Sequence, residues 1–377
     1  MIQRSIQKKI LQTLQTEQKV ILLFGPRQVG KTTLIKQLLA GQSGSYLVLN
    51  GDQLTHHELF ASRDLDKLKL FLAGYDILFV DEAQRFRDIG LTLKILHDQL
   101  PSLKILVCGS SALELANQIK EPLTGRTRSF TLWPLSLPEL AVTQTRYTLS
   151  AQIESFLLYG LYPEVYTLPT VEQKVEHLHE LTSAYLYKDI LQLTSIRHAH
   201  KVHKLVKLLA LQVGSLVSIH ELSLALELSH DTVINYIDLL EKGFIVFRLT
   251  GFSRNLRKEI SKMDKIYFYD VGIRNTVIDQ FQPLTHRKDI GALWENFLVA
   301  ERLKSHAARQ QRVQPYFWRT YTGAELDYVE EYQGILHGYE FKYQAKPHRT
   351  PKTWTDQYSP ATAEQVNRDN FWEFVGM

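Results

Sequence analysis

The sequence reads Gly25-Pro26-Arg27-Gln28-Val29-Gly30-Lys31-Thr32, with Thr33 next, directly after the apolar run of residues 20–24. This is the pattern G-x-x-x-x-G-K-[ST] at the exit of a strand, and the apolar residues that follow have the spacing of an amphipathic helix. In such a loop two glycines let successive backbone N–H groups point at phosphate oxygens, beside the positive end of the helix. The pattern predicts a nucleoside-triphosphate site formed by residues 25–33. Lys31 would contact the β- and γ-phosphates and Thr32 would hold Mg²⁺.

A second strand-like run, residues 76–80, ends in the paired carboxylates Asp81 and Glu82. Near a phosphate-binding loop, a strand end of this kind is the expected place for Asp81 to hold Mg²⁺ and for Glu82 to polarise the attacking water. The alternative is a solvated strand end. The predicted ligands are ATP and Mg²⁺, although a loop that reads phosphates leaves the choice between adenine and guanine open.

Further polar residues follow or precede the other strand-like runs of this region. Residues 46–50 are expected to form a buried strand, and so are residues 103–108. Ser110 comes after the latter run and is expected to contact the γ-phosphate, to cap a helix, or both. Arg126 and Arg128 are candidates for stabilising transition-state charge, in their own subunit or in a neighbour's. The alternative for both is an ordinary surface arginine.

The composition is that of an ordinary globular protein, with 44% hydrophobic and 22% charged residues in 377. Two or three domains are expected at this length. The net charge of +4 permits a nucleic-acid partner without requiring one. Cys108 is the only cysteine, which excludes a disulfide within the chain and fits a reducing, cytoplasmic setting. No apolar run is long enough for a membrane span, and no secretory signal is visible.

Several motifs together resemble a bacterial and archaeal family of AAA-type ATPases. They are GPRQVGKTT at residues 25–33, VDEAQ at 80–84, GSS at 109–111, TGR at 124–126, TLWPLSLPEL at 131–140, LYGLYPEV at 158–165 and KIYFYDVGIRN at 265–275. Gly160-Leu161 stands where members of the family often have two glycines. The resemblance covers essentially the whole chain. It implies the strand order 5-1-4-3-2 in an AAA-like module, followed by a winged helix and a restriction-endonuclease-like domain of unassigned function.

We therefore predict an α/β protein in four parts. Residues 1–145 would form a P-loop parallel sheet of the AAA type with helices on both faces, and residues 146–200 a helical linker. Residues 201–275 would form a winged-helix module, since Ser218 and Ser229 are placed to cap two short helices before a strand pair. Residues 276–377 would form the restriction-endonuclease-like α/β domain.

The predicted winged helix is a candidate for contact with DNA. The loop between its two strands carries Arg257 and Lys258, which suit phosphate contacts. Asp231, Asp238 and Glu241 on the second helix would repel a phosphate backbone. The alternative is therefore a module that packs against protein.

The last part of the sequence has a pattern of acidic residues and a lysine. Asp327 lies in one strand-like run, Glu340 and Lys342 alternate on the next, and Glu295 lies on an upstream helix. The carboxylates could bind Mg²⁺ while Lys342 activates a water for phosphodiester attack. The pattern resembles the signature of restriction-endonuclease-like nucleases, with a surface pair or an inactive relic as the alternatives.

The sequence thus favours an ATP-binding and ATP-hydrolysing AAA-type protein that couples its nucleotide state to a nuclease-like domain acting on or near DNA. The alternative is a nucleotide-controlled binding module whose C-terminal domain has lost catalysis and recognises a partner protein or nucleic acid. A helicase interpretation of the VDEAQ run fails, because the chain has one P-loop and no second motor core. Whether the chain forms a homo-oligomer is left open.

Overall fold

The computed structural model describes residues 2–109, 122–184, 199–253, 264–320, 322–347 and 350–377. The chain divides into two compact units, Met1–Trp133 and Pro134–Met377. Among the described residues, no helix combines the length and the apolar character that crossing a bilayer requires.

The first unit is built on a five-stranded parallel sheet. Its strands are β1 (Val20–Phe24), β2 (Tyr46–Asn50), β3 (Ile77–Asp81), β4 (Lys104–Cys108) and β5 (Thr127–Thr131). They are hydrogen-bonded in the order β2-β3-β4-β1-β5, and every pairing is parallel. The strand order implied by the family resemblance is therefore confirmed. The carboxyl ends of parallel strands meet at one edge of a sheet, which is where open α/β sheets bind their ligands.

Five helices accompany this sheet in the described part of the first unit: α1 (Gln7–Thr16), α2 (Lys31–Ala40), α3 (His57–Ser62), α4 (Leu65–Phe71) and α5 (Ile89–Gln99), with 3₁₀ turns at Leu54–His56 and Ala83–Arg85. Strand β3 is buried at all five positions, as expected for a central strand of a parallel sheet. The expectation that residues 46–50 are buried is wrong. Strand β2 lies at the edge of the sheet, so Tyr46 and Val48 remain 43% and 37% exposed.

The second unit contains a mixed sheet of seven described strands: β6 (Leu216–Val217), β7 (Val246–Gly251), β8 (Asp264–Phe268), β9 (Pro315–Arg319), β10 (Glu325–Tyr332), β11 (Ile335–Phe341) and β12 (Thr362–Val366). Their order is β12-β11-β10-β9-β7-β8-β6. Strand β7 pairs with β8 in antiparallel fashion and with β9 in parallel fashion. Strands from the predicted winged-helix module and from the predicted C-terminal domain therefore belong to one continuous sheet.

The described helices of the second unit are α6 (Leu137–Leu140), α7 (Arg146–Tyr159), α8 (Pro163–Thr167), α9 (Val171–Ala184), α10 (Ala199–Leu211), α11 (Ile219–Leu226), α12 (His230–Lys242), α13 (Val271–Val277), α14 (Ile290–Arg309), α15 (Lys352–Tyr358) and α16 (Phe371–Phe374), with a 3₁₀ turn at Leu284–His286. The two serine caps are found where the sequence predicts them. Ser218 accepts from the N–H of Glu221, and Ser229 accepts from the N–H of Thr232.

The motifs LYGLYPEV and KIYFYDVGIRN meet in the second unit, at a contact we call the Gly160–Asp270 joint. The buried Asp270 carboxylate caps α13 by accepting from the N–H of Gly272 at 2.8 Å, and its other oxygen accepts from the N–H of Leu161 at 2.8 Å. Asn275 donates to two carbonyls at the end of α7, at 2.9 and 2.8 Å. Gly160 has φ +72, and a Cβ there would lie 1.9 Å from Asp270 Oδ1. These residues hold helices α7 and α13 together.

A buried ionic group ties α14 to β10. Glu330 is 3% exposed, accepts from His306 Nε2 at 2.7 Å and pairs with Arg302 through both carboxylate oxygens. Burial acts to raise the pKa of this carboxyl, but the hydrogen bonds from His306 and Arg302 outweigh it and lower the pKa to about 2.

The low pKa of Glu330 predicts a pH dependence of stability. A carboxyl with a depressed pKa in the folded state stabilises that state above its unfolded pKa, and the contribution is lost as the pH falls toward 2. Between pH 4.5 and 2 we expect the free energy of unfolding to fall by about 3 kcal/mol more in the natural chain than in Glu330→Gln. Urea titrations across this range measure the difference. The control is Glu331→Gln, a substitution at the exposed neighbouring position. If Glu330→Gln lost as much stability in acid as the natural chain, the low pKa of Glu330 would be contradicted.

Candidate functional site

The loop after β1 has backbone conformations that favour glycine at its two ends. Gly25 has φ +147 and Gly30 has φ +91. A Cβ on Gly25 would lie 2.1 Å from the carbonyl oxygen of Leu132, so only glycine fits there. Gly30 leads directly into α2, which begins at Lys31. The loop therefore curls over the amino-terminal end of a helix, where backbone N–H groups without helical partners favour an anion.

The side chain of Lys31 lies inside this loop. It is 7% exposed, and its Nζ donates to the carbonyl oxygens of Gly25 and Pro26 at 2.9 and 2.7 Å. Burial lowers the pKa of Lys31, while the nearby acidic groups, including Asp81 and Glu82, act in the opposite direction. The hydrogen-bond partners of its ammonium are neutral carbonyl groups and not carboxylates, so Lys31 is suited to bind a phosphate group.

Thr32 and Asp81, which the sequence predicts as partners of one Mg²⁺ ion, are in direct contact. The Thr32 hydroxyl donates to Asp81 Oδ2 at 2.7 Å. The other carboxylate oxygen, Oδ1, accepts from the Cys108 thiol at 2.6 Å. Cys108 ends β4, which lies between β1 and β3, and burial raises the pKa of its thiol. No role in this site is predicted for Cys108 from the sequence, although its position at the end of a strand-like run is a signal for one.

Glu82, the predicted general base, lies next to Asp81 with an unusual backbone conformation. Its φ is +46, in the left-handed region that non-glycine residues seldom adopt. Its carboxylate accepts from Gln84 Nε2 at 2.6 Å. Gly51 at the end of β2 packs against it, since a Cβ on Gly51 would lie 2.2 Å from the Glu82 carbonyl oxygen. The Gln84 contact is a second feature of the site that the sequence analysis missed.

The remaining predicted residues of this site have different positions. Gln28 and Thr33 are exposed, and Val29 is buried. Ser110 lies outside the described residues.

The predicted role of Arg126 in the active site of its own subunit is wrong. Val20 pairs with Thr127 and Phe24 with Thr131. Arg126 therefore lies at the amino-terminal ends of the strands, opposite the edge that carries the loop and about 17 Å from it along the strand.

Arg126 and Arg128 both have acidic partners at that opposite edge. Arg126 binds Asp98 through Nε and Nη2, at 2.8 and 3.1 Å, and this contact lowers the pKa of Asp98 to about 2. Arg128 pairs with Glu17 at 2.9 Å. A role for either arginine in the active site of a neighbouring subunit stays a prediction.

The predicted C-terminal site contains a lysine that the sequence analysis did not include. Lys265 on β8 is 2% exposed, and its Nζ lies 3.0 Å from Glu295 Oε1, 2.7 Å from Glu325 Oε1 and 3.6 Å from Asp327 Oδ1. We call these four residues the Lys265 cluster. Tyr267 also donates to Glu295 Oε1, at 2.6 Å. Burial and the charge of Asp327 raise the pKa of Glu295 to about 7, although Lys265 and Tyr267 act to lower it.

The other two predicted residues of this site pair with each other. Glu340 Oε1 lies 2.8 Å from Lys342 Nζ. Lys342, Glu295 and Asp327 line one cleft of about 660 Å³. In the described part of the chain, no group of three or more His, Cys, Asp or Glu side chains is arranged to hold a metal ion. Because the Lys265 ammonium already lies against Glu295 and Asp327, these residues as arranged do not fit a divalent cation.

Comparison with known families defines the class of the first unit. Residues 17–141 match a family model described as an AAA domain. Together with the parallel sheet and the glycine loop, this match makes the first unit an AAA-type domain with the P-loop ATPase fold. Residues 150–284 and 290–365 match two domains of unknown function, DUF8612 and DUF4143.

Relatives of this chain occur in bacteria and archaea. The chain is 31% identical over 333 residues to the uncharacterized protein Rv2008c of Mycobacterium tuberculosis, covering 87% of this chain and 71% of that protein. It is 24% identical over 319 residues to the uncharacterized protein MJ1544 of Methanocaldococcus jannaschii, covering 80% and 69%. The chain belongs to the same protein family as Rv2008c.

Two of the solved structures with a similar arrangement match this chain at low scores. The RuvB Holliday junction branch migration motor of Thermotoga maritima is 17% identical with a TM-score of 0.34, covering 66% of this chain and 90% of that one. AMPPCP-bound DnaA from Aquifex aeolicus is 15% identical with a TM-score of 0.29, covering 63% and 86%. Scores this low do not bear on the function of this chain.

Proposed function

We propose that this chain binds ATP with Mg²⁺ and hydrolyses it at the loop of residues 25–33. The observation that carries the proposal is the hydrogen bond between Thr32 and Asp81 beside the buried Lys31, at the carboxyl edge of the parallel sheet. A hydroxyl and a carboxylate are oxygen ligands of the kind that Mg²⁺ prefers. These residues therefore fit the ion, which when bound would offset the negative charge of the phosphates.

Several residues of the chain would then have separate roles in ATP binding and hydrolysis. Backbone N–H groups of the loop and the Lys31 ammonium bind and orient the phosphates. Glu82 accepts a proton from the attacking water, and the Gln84 amide that contacts its carboxylate fixes the direction in which that carboxylate points. The Cys108 thiol holds Oδ1 of Asp81 while Thr32 holds Oδ2, so the carboxylate has one orientation.

Glu82→Gln tests the role of the predicted base. An amide cannot take up the proton, so we expect hydrolysis to slow by about 10²- to 10⁴-fold while ATP still binds. Single-turnover hydrolysis and equilibrium binding of a fluorescent ATP analogue measure the two properties separately. Glu58→Gln, at an exposed position of the same unit, is the matched control. Equal loss of binding and hydrolysis would show that Glu82 is structural.

For the second unit, the geometry favours a nucleotide-controlled binding module over an ATP-coupled nuclease acting on or near DNA. The supporting observation is the Lys265 ammonium, which lies where a nuclease of the predicted kind needs a metal ion between carboxylates. The nuclease remains the second candidate function, because Glu295, Asp327 and Lys342 share one cleft.

A winged helix and a DNA partner also remain part of this proposal. Strand β6, helices α11 and α12 and the antiparallel pair β7–β8 follow one another as in a winged helix, and β6 pairs with β8. Two of the acids that argue against DNA contact are engaged within the unit, since Asp238 and Glu241 both pair with Arg248. Their repulsion of a phosphate backbone is reduced accordingly. Arg257 and Lys258 lie outside the described residues.

DNA cleavage distinguishes the binding module from the nuclease. With the binding module, we expect no cutting of plasmid or linear DNA by the natural chain in Mg²⁺ or Mn²⁺, with or without ATP, because the Lys265 ammonium already lies against Glu295 and Asp327, where a metal ion would be needed. Agarose gels over long incubations measure this. Cutting by the natural chain that disappears in Asp327→Ala would establish the nuclease instead, and the same preparation of the variant controls for contaminating nucleases.

A further inference from the structure

The Lys265 cluster has one cation at its centre and three carboxylates around it. Nζ of Lys265 lies within 3.6 Å of an oxygen from each of Glu295, Glu325 and Asp327. The side chains of these carboxylates are 13%, 28% and 15% exposed, and that of Lys265 is 2% exposed. Buried carboxylates of this number require a positive charge or bound protons, since unpaired buried charge is strongly unfavourable. The ammonium supplies one such positive charge from within the protein.

The lysine reaches the cluster from a distant part of the sheet. Lys265 lies on β8, whereas Glu325 and Asp327 lie on β10, and strands β7 and β9 lie between the two in the sheet. Its ammonium is 5.6 Å from the centre of the Phe317 ring on β9, a contact that favours a cation. The position of the charge is therefore set by the sheet itself and by an aromatic ring, in addition to the carboxylates.

A divalent cation and this ammonium require the same oxygens. Mg²⁺ and Mn²⁺ bind carboxylate oxygens at about 2.0–2.2 Å. The ammonium lies 2.7 Å and 3.0 Å from two of the oxygens, at hydrogen-bonding distance. A metal ion among the same carboxylates would lie against a positive charge at close range, which is repulsive in a buried setting.

We propose that the Lys265 ammonium serves as the permanent cation of this cluster, in place of a divalent metal, and that removing it converts Glu295, Glu325 and Asp327 into a Mg²⁺ or Mn²⁺ site. The proposal deepens the binding-module function given above for the second unit, on which it rests. In this role Lys265 excludes metal ions from the cluster and holds the three carboxylates in place.

The test measures Mn²⁺ binding in an Asp81→Asn background, which removes the competing carboxylate of the ATP site. In that background the chain with Lys265 is expected to leave the electron paramagnetic resonance signal of free Mn²⁺ unchanged. Adding Lys265→Met, an unbranched apolar side chain, is expected to remove one equivalent of Mn²⁺ from the free signal. The matched control Lys265→Arg keeps a cation and is expected to bind none. Adding Asp327→Asn to Lys265→Met is expected to abolish the binding again.

A second readout covers the case in which Lys265→Met folds poorly because its carboxylates have lost their partner. The thermal unfolding midpoint of Lys265→Met is then expected to rise on addition of Mn²⁺, whereas that of the chain with Lys265, or of the variant that also carries Asp327→Asn, is expected to stay constant.

Two results would overturn the proposal. One is Mn²⁺ binding by the chain with Lys265 that is lost in Asp327→Asn, since the natural cluster would then be a metal site. The other is a Lys265→Met chain that neither binds Mn²⁺ nor is stabilised by it. Both readouts are independent of ATP turnover and of DNA cleavage, so failure here is distinguishable from failure of the proposed functions.

Discussion

Replacing Lys31 by alanine is expected to abolish ATP turnover, with a loss of about a hundredfold or more. Lys31 is the buried cation of the loop, and its two hydrogen-bond partners are neutral carbonyl groups. Its ammonium is therefore the charge that a triphosphate would meet on entering the loop. Alanine removes this charge and leaves the loop glycines in place, so the change affects binding and hydrolysis more than folding.

Steady-state phosphate release at saturating ATP measures the effect of Lys31→Ala. Lys36→Ala is the matched control, because Lys36 lies on the same helix α2 and is exposed. We expect the control to retain the natural rate. An unchanged rate in Lys31→Ala would mean that the nucleotide site lies elsewhere, and thermal unfolding of both variants checks that the fold is intact.

Gly160→Ala is expected to destabilise the second unit by about 2–4 kcal/mol. The added Cβ would lie 1.9 Å from Asp270 Oδ1, well inside van der Waals contact. Asp270 cannot move away freely, because its carboxylate caps α13 and accepts from the N–H of Leu161. Relief of the clash would therefore break either the cap of α13 or the contact between α7 and α13.

Gly334→Ala provides the matched control for this variant. Gly334 has φ +77, close to the φ of +72 at Gly160, but a Cβ there would have nothing within 4 Å. The control has a similar positive φ without the clash, so the difference between the two variants measures the clash together with the strain that the ψ of −163 at Gly160 imposes on alanine. Hydrogen exchange of amides in residues 265–275 localises the effect. Equal protection in both variants would show that the clash is relieved without loss of the contact.

The sequence predicts the phosphate-binding loop and several element boundaries in both units well, because the signals for them are local. The glycine loop, the strand ending in Asp81 and Glu82, and the helix starts at Ser218 and Ser229 are each defined by neighbouring residues, and the structure has them at those positions. The order of the strands could be predicted only from the family resemblance. Parallel strands are joined by long connections, and periodicity does not show which strands become neighbours in the sheet.

Apart from the contact of Gln84 with Glu82, the features that the sequence analysis missed depend on contacts between residues distant in the sequence. Arg126 lies far from the loop because the parallel register pairs Val20 with Thr127. Lys265 meets Asp327 only because β8 and β10 lie in one sheet, and the predicted boundary after residue 275 assigned them to different domains. Burial of β2 failed for a related reason, since alternation and hydrophobicity do not identify which strand is at an edge.

The pairing of β7 with β9 has a mechanical consequence. Backbone hydrogen bonds run without interruption from β6 to β12, so the β7–β8 hairpin and the C-terminal strands cannot rotate as independent bodies. A fragment starting at residue 276 would lack the strand that covers β9 and would present an open edge, which invites association with other chains. Because Lys265 lies on this hairpin and Glu325 and Asp327 lie on β10, the continuous sheet also fixes the position of the ammonium relative to its carboxylates.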